Sequence, residues 1–373
     1  MTLDRPTLAR LREQATQARK MGCYAQAAQW EQQAVDLAGT LGLAGERMRA
    51  LLWEGYSLQR AGQDDLALAF LLQTIHEPTT DPADRFSALI AIVHISLECK
   101  PARFCRALLE QGRRDLAESR QPWAALLDFL EGELAFRQGD FATAWDWHER
   151  AWAGRRDAHP RLTAATHLWA QCRTAFRRRD PVELERLTRL LIGLRPNSTL
   201  EQQLVMRAQW LHWRAQYTTS APLADSTPIE QARVFLAAAG KNDIGDFGAR
   251  LEALRVLALT GDWQFIDAYL HRCPLHPDAF ETALGLGDLA LSRARAALGQ
   301  PAIDDDGAMT AEVIALVASD HGQASALVNE AQRHYREAGQ FAEEQDRRLE
   351  TGWYSHTVQQ RQALLELTTS RVR

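Results

Sequence analysis

The chain has 373 residues, of which 46% are hydrophobic and 24% are charged, and its formal net charge is −5. This charge argues against a chain built mainly to coat nucleic acid, and no apolar stretch approaches the roughly 18 residues that a membrane-spanning helix needs. Leu, Ala, Glu, Gln and Arg are abundant while runs of Val, Ile and Thr are scarce, which favours helices over strands.

The first predicted element is an amphipathic helix. Its apolar residues Leu8, Leu11, Ala15 and Ala18 recur at spacings of three and four, which places them on one helical face. Gly22 then supplies a turn, and a second apolar stripe follows it: Ala27, Ala28, Trp30, Ala34, Val35 and Leu37. The sequence therefore predicts two amphipathic helices joined at Gly22.

The same pattern returns around Gly62. Leu51, Leu52, Gly55 and Leu58 precede it, and Leu66, Ala67, Phe70, Leu71 and Ile75 follow it. Pro78 and the dipeptide Asp81-Pro82 come next, and they predict a helix end followed by a new helix start.

A turn residue recurs along the chain at a spacing of about forty residues. Gly62 stands forty residues after Gly22, and later turn residues follow at one or two such periods: Gly139, Arg179, Gly261, Gly299 and Gly339. A fixed period with helical pattern on both sides is typical of a helix-pair solenoid. We therefore expect an all-α fold, a superhelical solenoid of antiparallel helix pairs.

Small and aromatic residues take fixed places around these turns. In the first unit they are Ala15, Tyr24, Ala27 and Ala34; around Gly139 they are Gly132, Phe141, Ala144 and Ala151. This arrangement resembles the tetratricopeptide repeat family, in which small facing residues let the paired helices approach closely. The resemblance implies a right-handed superhelix. The period exceeds the common 34 residues and is similar to the longer-helix variants of kinesin light chains and of bacterial regulators.

The predicted organisation has five parts: TPR-like repeats at 5–217, a Ser/Thr/Pro-rich loop at 218–228, further repeats at 229–298, an acidic connection at 299–308, and degenerate repeats at 309–373 with a capping helix at Gln359–Leu367. The units expected near residues 101 and 219 lack the turn glycine. The sequence leaves open whether they are true repeats or kinks that split the solenoid into two lobes.

The cysteines indicate a reducing compartment. Five of them stand at irregular spacing: Cys23, Cys99, Cys105, Cys172 and Cys273. An odd, irregular set does not suggest a disulfide framework, and we expect each to be a small buried apolar residue. The polar stretch Thr2–Lys20 does not have the pattern of a secretory signal. We therefore expect a cytoplasmic protein.

The resemblance also predicts a binding surface, because the first helix of each pair lines the concave groove in this family. The outward positions carry arginines and aromatic rings: Arg12, Arg19, Arg49, Tyr56, Arg60, Phe136, Arg137, Trp169, Arg173, Phe176, Arg177, Trp213, Tyr217 and Arg255. Guanidinium groups bind carboxylates and stack on aromatic rings. Such a groove suits an acidic peptide with an aromatic or apolar anchor. The alternative is that these arginines keep the helices soluble and pair with neighbouring acids.

From this groove we expect a non-enzymatic scaffold that binds a protein or peptide with an acidic segment, without cofactor or metal and without direct contact to nucleic acid or membrane. The alternative is a bacterial regulatory sensor whose solenoid changes conformation when a peptide or protein binds. Self-association into a homodimer stays open.

Two other groups of residues are candidates for a contact surface and for a metal site. Trp145 and Trp152 share a helix face and are expected to pack between helices, whereas Trp147 and His148 are candidates for a convex contact. His271, Cys273 and His276 have metal-like spacing, with Asp278 as a fourth ligand, but a helix end followed by a proline-bounded turn is the favoured interpretation.

Overall fold

A computed structural model describes residues 4–119, 124–155, 163–195, 198–219, 226–242, 247–275, 279–300 and 321–372. These residues form seventeen α-helices and no strand, which confirms the all-α prediction for this part of the chain. The helices are α1 Asp4–Lys20, α2 Tyr24–Thr40, α3 Ala44–Arg60, α4 Asp64–His76, α5 Pro82–Cys99, α6 Ala102–Ser119, α7 Ala124–Arg137, α8 Phe141–Ala153, α9 Ala164–Arg177, α10 Pro181–Gly193, α11 Thr199–Thr219, α12 Thr227–Asn242, α13 Phe247–Leu259, α14 Trp263–Arg272, α15 Phe280–Ala297, α16 His321–Leu349 and α17 Trp353–Val372.

The chain divides into two compact units, Met1–Leu134 and Ala135–Arg373, and the division falls within α7. In unit 1, each helix from α1 to α5 packs against the next one along the chain, and α3 also packs against α5. Gly22 and Gly62 both adopt a φ of +76° at the predicted turns. A side chain other than hydrogen is strained in that left-handed conformation, which is why the turns carry glycine.

Close packing in unit 1 also requires small residues. A Cβ at Gly55 would lie 2.8 Å from Leu71 Cγ, so α3 and α4 pack too closely there for a larger residue. The predicted helix start at Asp81-Pro82 is present, since Asp81 Oδ1 accepts a hydrogen bond from the backbone N–H of Ala83 at 2.8 Å. One turn was not anticipated: Gly42, with a φ of +68°, joins α2 to α3.

Unit 2 follows the same packing rule. Helix α9 packs against α8, α10 and α11, α11 packs against α13, α13 against α15, and α15 against α16. Gly139, Gly261 and Gly299 adopt positive φ values at their predicted turns, and Arg179 does so as well, with a φ of +57°.

The turn predicted at Gly339 is wrong. Gly339 lies inside α16, a continuous helix of 29 residues, and the chain turns only at Glu350, which has a φ of +55°. Glycine inside a helix costs only about 1 kcal/mol relative to alanine, and the packing of α16 against both α15 and α17 offsets it. The predicted capping helix at Gln359–Leu367 is the middle of the longer α17.

The described residues cover three other predicted segments in full or in part. Of the loop expected at 218–228, positions 218 and 219 belong to α11 and positions 227 and 228 to α12, while residues 220–225 lie outside the described part. Near residue 101, where the turn glycine is lacking, α5 and α6 nonetheless form a packed pair that breaks at Lys100 and Pro101. The connection predicted at 299–308 lies outside the described residues from 301 onward.

Candidate binding site

Helix α9 carries the largest share of the predicted groove residues, and it is fixed at both ends. Thr163 Oγ1 accepts a hydrogen bond from the backbone N–H of Thr166 at 3.2 Å and caps its start. Arg179 turns the chain after its end, and Asp180 Oδ1 caps α10 by accepting from the backbone N–H of Glu183 at 3.1 Å. The side chains of α9 therefore project from a well-anchored helix.

Four predicted residues of α9 lie on one face, because Trp169, Arg173, Phe176 and Arg177 are spaced at intervals of four, three and one. Trp169 and Phe176 are buried, while Arg173 and Arg177 are half-buried. The structure thus brings these four side chains together, but the two rings lie deeper than the open groove of the prediction would place them.

Arg173 is stacked between aromatic rings. Its guanidinium carbon lies 4.5 Å from the ring centroid of Phe136 and 5.9 Å from that of Trp169. Contacts of this type contribute about 0.5–2 kcal/mol and orient the planar guanidinium group. The N–H groups of Arg173 are consequently held in a limited range of directions.

Helix α11 adds two arginines that the sequence did not single out. Arg207 lies 4.6 Å from the ring centroid of Trp169 and pairs with Glu252 at 2.7 Å, and Arg214 lies 5.1 Å from the ring of Phe176. Their helical periodicity alone does not distinguish them from solvent-facing arginines. We call the following set the basic–aromatic cluster: Phe136, Trp169, Arg173, Phe176, Arg177, Arg207 and Arg214.

Buried arginines outnumber buried carboxylates among the described residues of unit 2. Among its described residues, four arginines are less than a tenth exposed: Arg214, Arg250, Arg295 and Arg361. Asp288 is the one carboxylate buried to the same degree in that part of the chain. Arginine does not lose its charge in proteins, so each of these four side chains stays cationic at its buried position.

Asp288 is the centre of a polar network that joins four helices. Its Oδ1 accepts hydrogen bonds from Tyr335 Oη and Arg361 Nε, both at 2.9 Å, and its Oδ2 lies 3.5 Å from Arg255 Nη2. Burial raises the pKa of Tyr335 well above its ordinary value, so the phenol keeps its proton and donates it. Arg255, which was predicted to line the groove, therefore pairs with a buried carboxylate of unit 2.

In unit 1 the predicted arginines pair with acids of neighbouring helices. Arg12 of α1 contacts Glu46 of α3 at 2.5 Å, and Arg49 of α3 contacts Asp84 at 3.0 Å. The hydrogen bond to Asp84 is the largest cause that raises the pKa of Arg49. The two pairs span 34 and 35 residues, so each links corresponding positions of successive units.

Two further arginines of unit 1 are also in contact with its own side chains. Arg19 contacts the buried Glu31 at 2.7 Å and lies 4.4 Å from the ring of Trp53, and Arg60 lies 5.3 Å from the ring of Tyr24. In this unit the contacts favour the alternative interpretation, in which the arginines bind neighbouring acids and rings.

The remaining predicted aromatic residues have different environments. Tyr56 packs edge-on against Trp53 with ring centroids 5.8 Å apart, and Trp213 is buried, with 4% of its surface exposed. Tyr217 belongs to α11, but its side chain lies outside the described residues. The predicted surface therefore reduces to the edge of unit 2 around Phe136, Arg173 and its neighbours.

The first and last turns of unit 2 meet at this edge. Gln138 Nε2 donates to the backbone oxygen of Leu349 at 2.7 Å, and Thr351 Oγ1 donates to the backbone oxygen of Gln138 at 2.7 Å. Phe141 packs edge-on against Trp353 with centroids 5.8 Å apart. We call these five residues the clasp. The clasp joins positions more than 200 residues apart, and no local sequence pattern predicts such a contact.

Gly139 and Arg177 connect the clasp with the basic–aromatic cluster. A Cβ at Gly139 would lie 2.3 Å from Trp353 Cγ, so this glycine is needed both for its φ of +76° and for the approach of the indole. The guanidinium carbon of Arg177 lies 5.8 Å from the ring centroid of Trp353. Arg137 lies 3.8 Å from Glu281, an exposed carboxylate.

The tryptophan-rich helix α8 agrees only in part with its prediction. Trp145 is buried and Trp152 packs against the same core, as expected. His148 is buried rather than exposed, with its Nδ1 3.2 Å from Thr174 Oγ1, so its assignment to a convex contact is wrong. It follows Trp147 directly, yet the helical twist turns it toward α9.

No group of three potential metal-ligating side chains occurs among the described residues; His276 and Asp278 lie outside them. Of the cysteines, Cys105 and Cys172 are buried as expected, and burial raises the pKa of Cys172 to about 12. Cys23 is exposed, contrary to the expectation, because it stands in the turn before α2. The side chain of Cys99 is not described.

No protein-family model matches the chain, and no curated protein matches its sequence significantly. Within the described helices, none is both long and apolar enough to cross a membrane.

Proposed function

We propose that this chain is a non-enzymatic, cytoplasmic scaffold that binds an acidic segment of a partner protein at the exposed edge of the basic–aromatic cluster. In this proposal its helix pairs wind into a right-handed superhelix of the tetratricopeptide kind. The observation that carries the proposal is the stacking of two half-buried arginines on aromatic rings at one edge of unit 2: Arg173 lies 4.5 Å from the ring centroid of Phe136, and Arg177 lies 5.8 Å from that of Trp353.

The half-buried Arg173 and Arg177 are the groups that meet the partner. Arg173 is already oriented by Phe136 and Trp169, so less side-chain entropy is lost when its N–H groups bind a carboxylate. Guanidinium groups bind carboxylates with two parallel hydrogen bonds. The neighbouring rings offer apolar contact for an aromatic or aliphatic anchor of the partner.

A defined acidic peptide tests the proposal directly. The probe is a labelled peptide of alternating aspartate and glutamate with one central tryptophan, and fluorescence anisotropy measures its affinity for the full chain. We expect Arg173→Glu combined with Arg177→Glu to weaken binding by about tenfold or more. Raising the salt concentration from about 50 mM to about 300 mM should weaken binding to the unaltered chain.

The matched control reverses two other charges of unit 2. Arg186 and Arg189 of α10 are exposed and pair with Glu183 and Glu185 on their own helix. Arg186→Glu combined with Arg189→Glu changes the net charge equally but leaves the cluster intact. Equal weakening by both double variants would refute a specific site, because it would show that only the total charge matters.

A second candidate is a regulatory sensor that changes conformation when a partner binds. The clasp favours it, since two hydrogen bonds and one ring contact join the first and last turns of unit 2. In this reading, binding alters the curvature of unit 2 and so changes which other protein it contacts. Small-angle scattering with and without the acidic peptide separates a switching unit from a static scaffold.

A further inference from the structure

Trp353 lies on the accessible edge of the proposed site, in a socket formed by other parts of unit 2. Its ring centroid is 5.8 Å from Phe141 and 6.3 Å from Phe280, and Arg177 lies over its ring. Gly139 supplies the space for the indole, because any Cβ there would overlap it. Trp353 is half-buried, so the socket opens to solvent on one side.

A carboxylate occupies the same edge. Glu281 lies 3.8 Å from Arg137, and 57% of its side chain is exposed. Arg137 directly follows Phe136, whose ring stacks on Arg173. The chain therefore already places one aromatic ring and one carboxylate against the arginines of this edge, which is the chemistry proposed for the partner.

We infer that Trp353 and Glu281 are internal occupants of the binding site, and that a partner segment with an aromatic anchor and flanking carboxylates displaces them and opens the clasp. This inference rests on the proposed function. It adds the partner's anchor chemistry and a coupling between binding and the contact of the two turns.

The two turns can separate because each has hydrogen bonds of its own that hold its shape. On one side, the backbone N–H of Asp140 donates to the backbone oxygen of Ala135, and Asp140 Oδ1 caps α8 by accepting from the N–H of Thr143. On the other side, Asp346 accepts hydrogen bonds from the backbone N–H groups of Tyr354 and Ser355 at 3.0 and 2.9 Å. These hydrogen bonds lie within each turn and remain when the contacts between the turns are lost.

Helix α17 also stays attached when the clasp opens. Tyr354 packs against Phe280 with ring centroids 4.7 Å apart, and Arg361 binds the buried Asp288. Opening of the clasp therefore exposes the socket without unfolding α17. When only the open state binds the partner, the apparent affinity is proportional to the fraction of molecules in that state.

The test weakens the clasp without touching its rings. Gln138→Ala combined with Thr351→Val removes both side-chain hydrogen bonds that join the turns, and with them the one that Thr351 Oγ1 accepts from the backbone N–H of Trp353. We expect faster hydrogen exchange in segments 136–141 and 349–355 of the free protein, and about tenfold tighter binding of the labelled acidic peptide. A peptide with alanine in place of tryptophan should gain much less.

The control variant is Thr369→Val, which loses a comparable hydrogen bond to the backbone of Leu365 in α17, away from the clasp. It should change neither the exchange at the clasp nor the affinity. Faster exchange with unchanged or weaker peptide binding would overturn the displacement model, because Trp353 would then not compete with the partner. Failure of both the unaltered and the weakened chain to bind the peptide would instead overturn the proposed function.

Discussion

Replacing Asp288 by asparagine is the sharpest test of how unit 2 is held together. The change keeps the shape of the side chain but removes the charge that faces Arg361, which is fully buried, and Arg255. Loss of one partner of a buried ion pair costs about 3–5 kcal/mol. Because asparagine retains one acceptor oxygen for Tyr335 or Arg361, we expect a loss near the lower end, about 3 kcal/mol.

Urea unfolding measures this loss, with tryptophan emission as the signal. Eight of the eleven tryptophans lie after position 134, so the signal reports mainly on unit 2. For a unit of this size, a loss of about 3 kcal/mol corresponds to a decrease of about 6–12 °C in the midpoint of thermal unfolding. Such a loss is a large fraction of the stability of a typical domain.

The control for Asp288→Asn is Glu185→Gln, which removes the same charge from an exposed pair. Arg189 and Glu185 are 77% and 37% exposed, and such pairs contribute within about 1 kcal/mol. Tyr335→Phe removes only the phenol hydroxyl and should be non-additive with Asp288→Asn, because both act on one hydrogen-bond network. A loss below about 1 kcal/mol for Asp288→Asn would refute the role of this carboxylate.

Two further changes test separate features. Burial, and then the negative charges of Asp36 and Glu31, raise the pKa of Glu54 from 4.5 to about 7, so the folded chain binds this proton more tightly than the unfolded chain. The free energy of unfolding should therefore fall between about pH 4.5 and pH 7, and Glu54→Gln should reduce that fall by about 1–3 kcal/mol in urea titrations across this range; an unaltered pH profile would contradict the assignment. Gly139→Ala and Gly62→Ala both strain a φ of +76°, but nothing lies within 4 Å of a Cβ at Gly62, whereas Trp353 would overlap one at Gly139. Thermal unfolding should show the larger loss for Gly139→Ala, by about 1–3 kcal/mol, and equal losses would argue against a close clasp.

The helices and most of the turns could be predicted from the sequence because both depend on residues that are close together in the chain. Apolar residues at spacings of three and four define a helix face, and a glycine at a left-handed turn marks its end, as at Gly62 and Gly139. The prediction failed at Gly339, where glycine does not break a helix that is stabilised by packing on both sides. Local preference was overridden there by tertiary contact.

The arginines show the same division between local and tertiary causes. Their positions on the first helix of each pair follow from the forty-residue period of the sequence. Whether each arginine contacts a side chain of its own chain or is left to bind a partner protein depends on residues far away in the sequence. Arg12 and Arg49 find acids 34 and 35 residues away, while Arg173 finds aromatic rings. Guanidinium groups bind acids and rings alike, so only the folded arrangement separates the two outcomes.

The sequence by itself determined that the described chain is helical, where most of its turns fall, and which face of α9 carries rings and positive charge, because these follow from periodicity within a few helical turns. Only the tertiary structure decided that Asp288 joins α13, α15, α16 and α17, and that Gln138 meets Thr351. These contacts span from about 30 to more than 200 residues. Their partners are selected by the packing of whole helices, and no short segment encodes that selection.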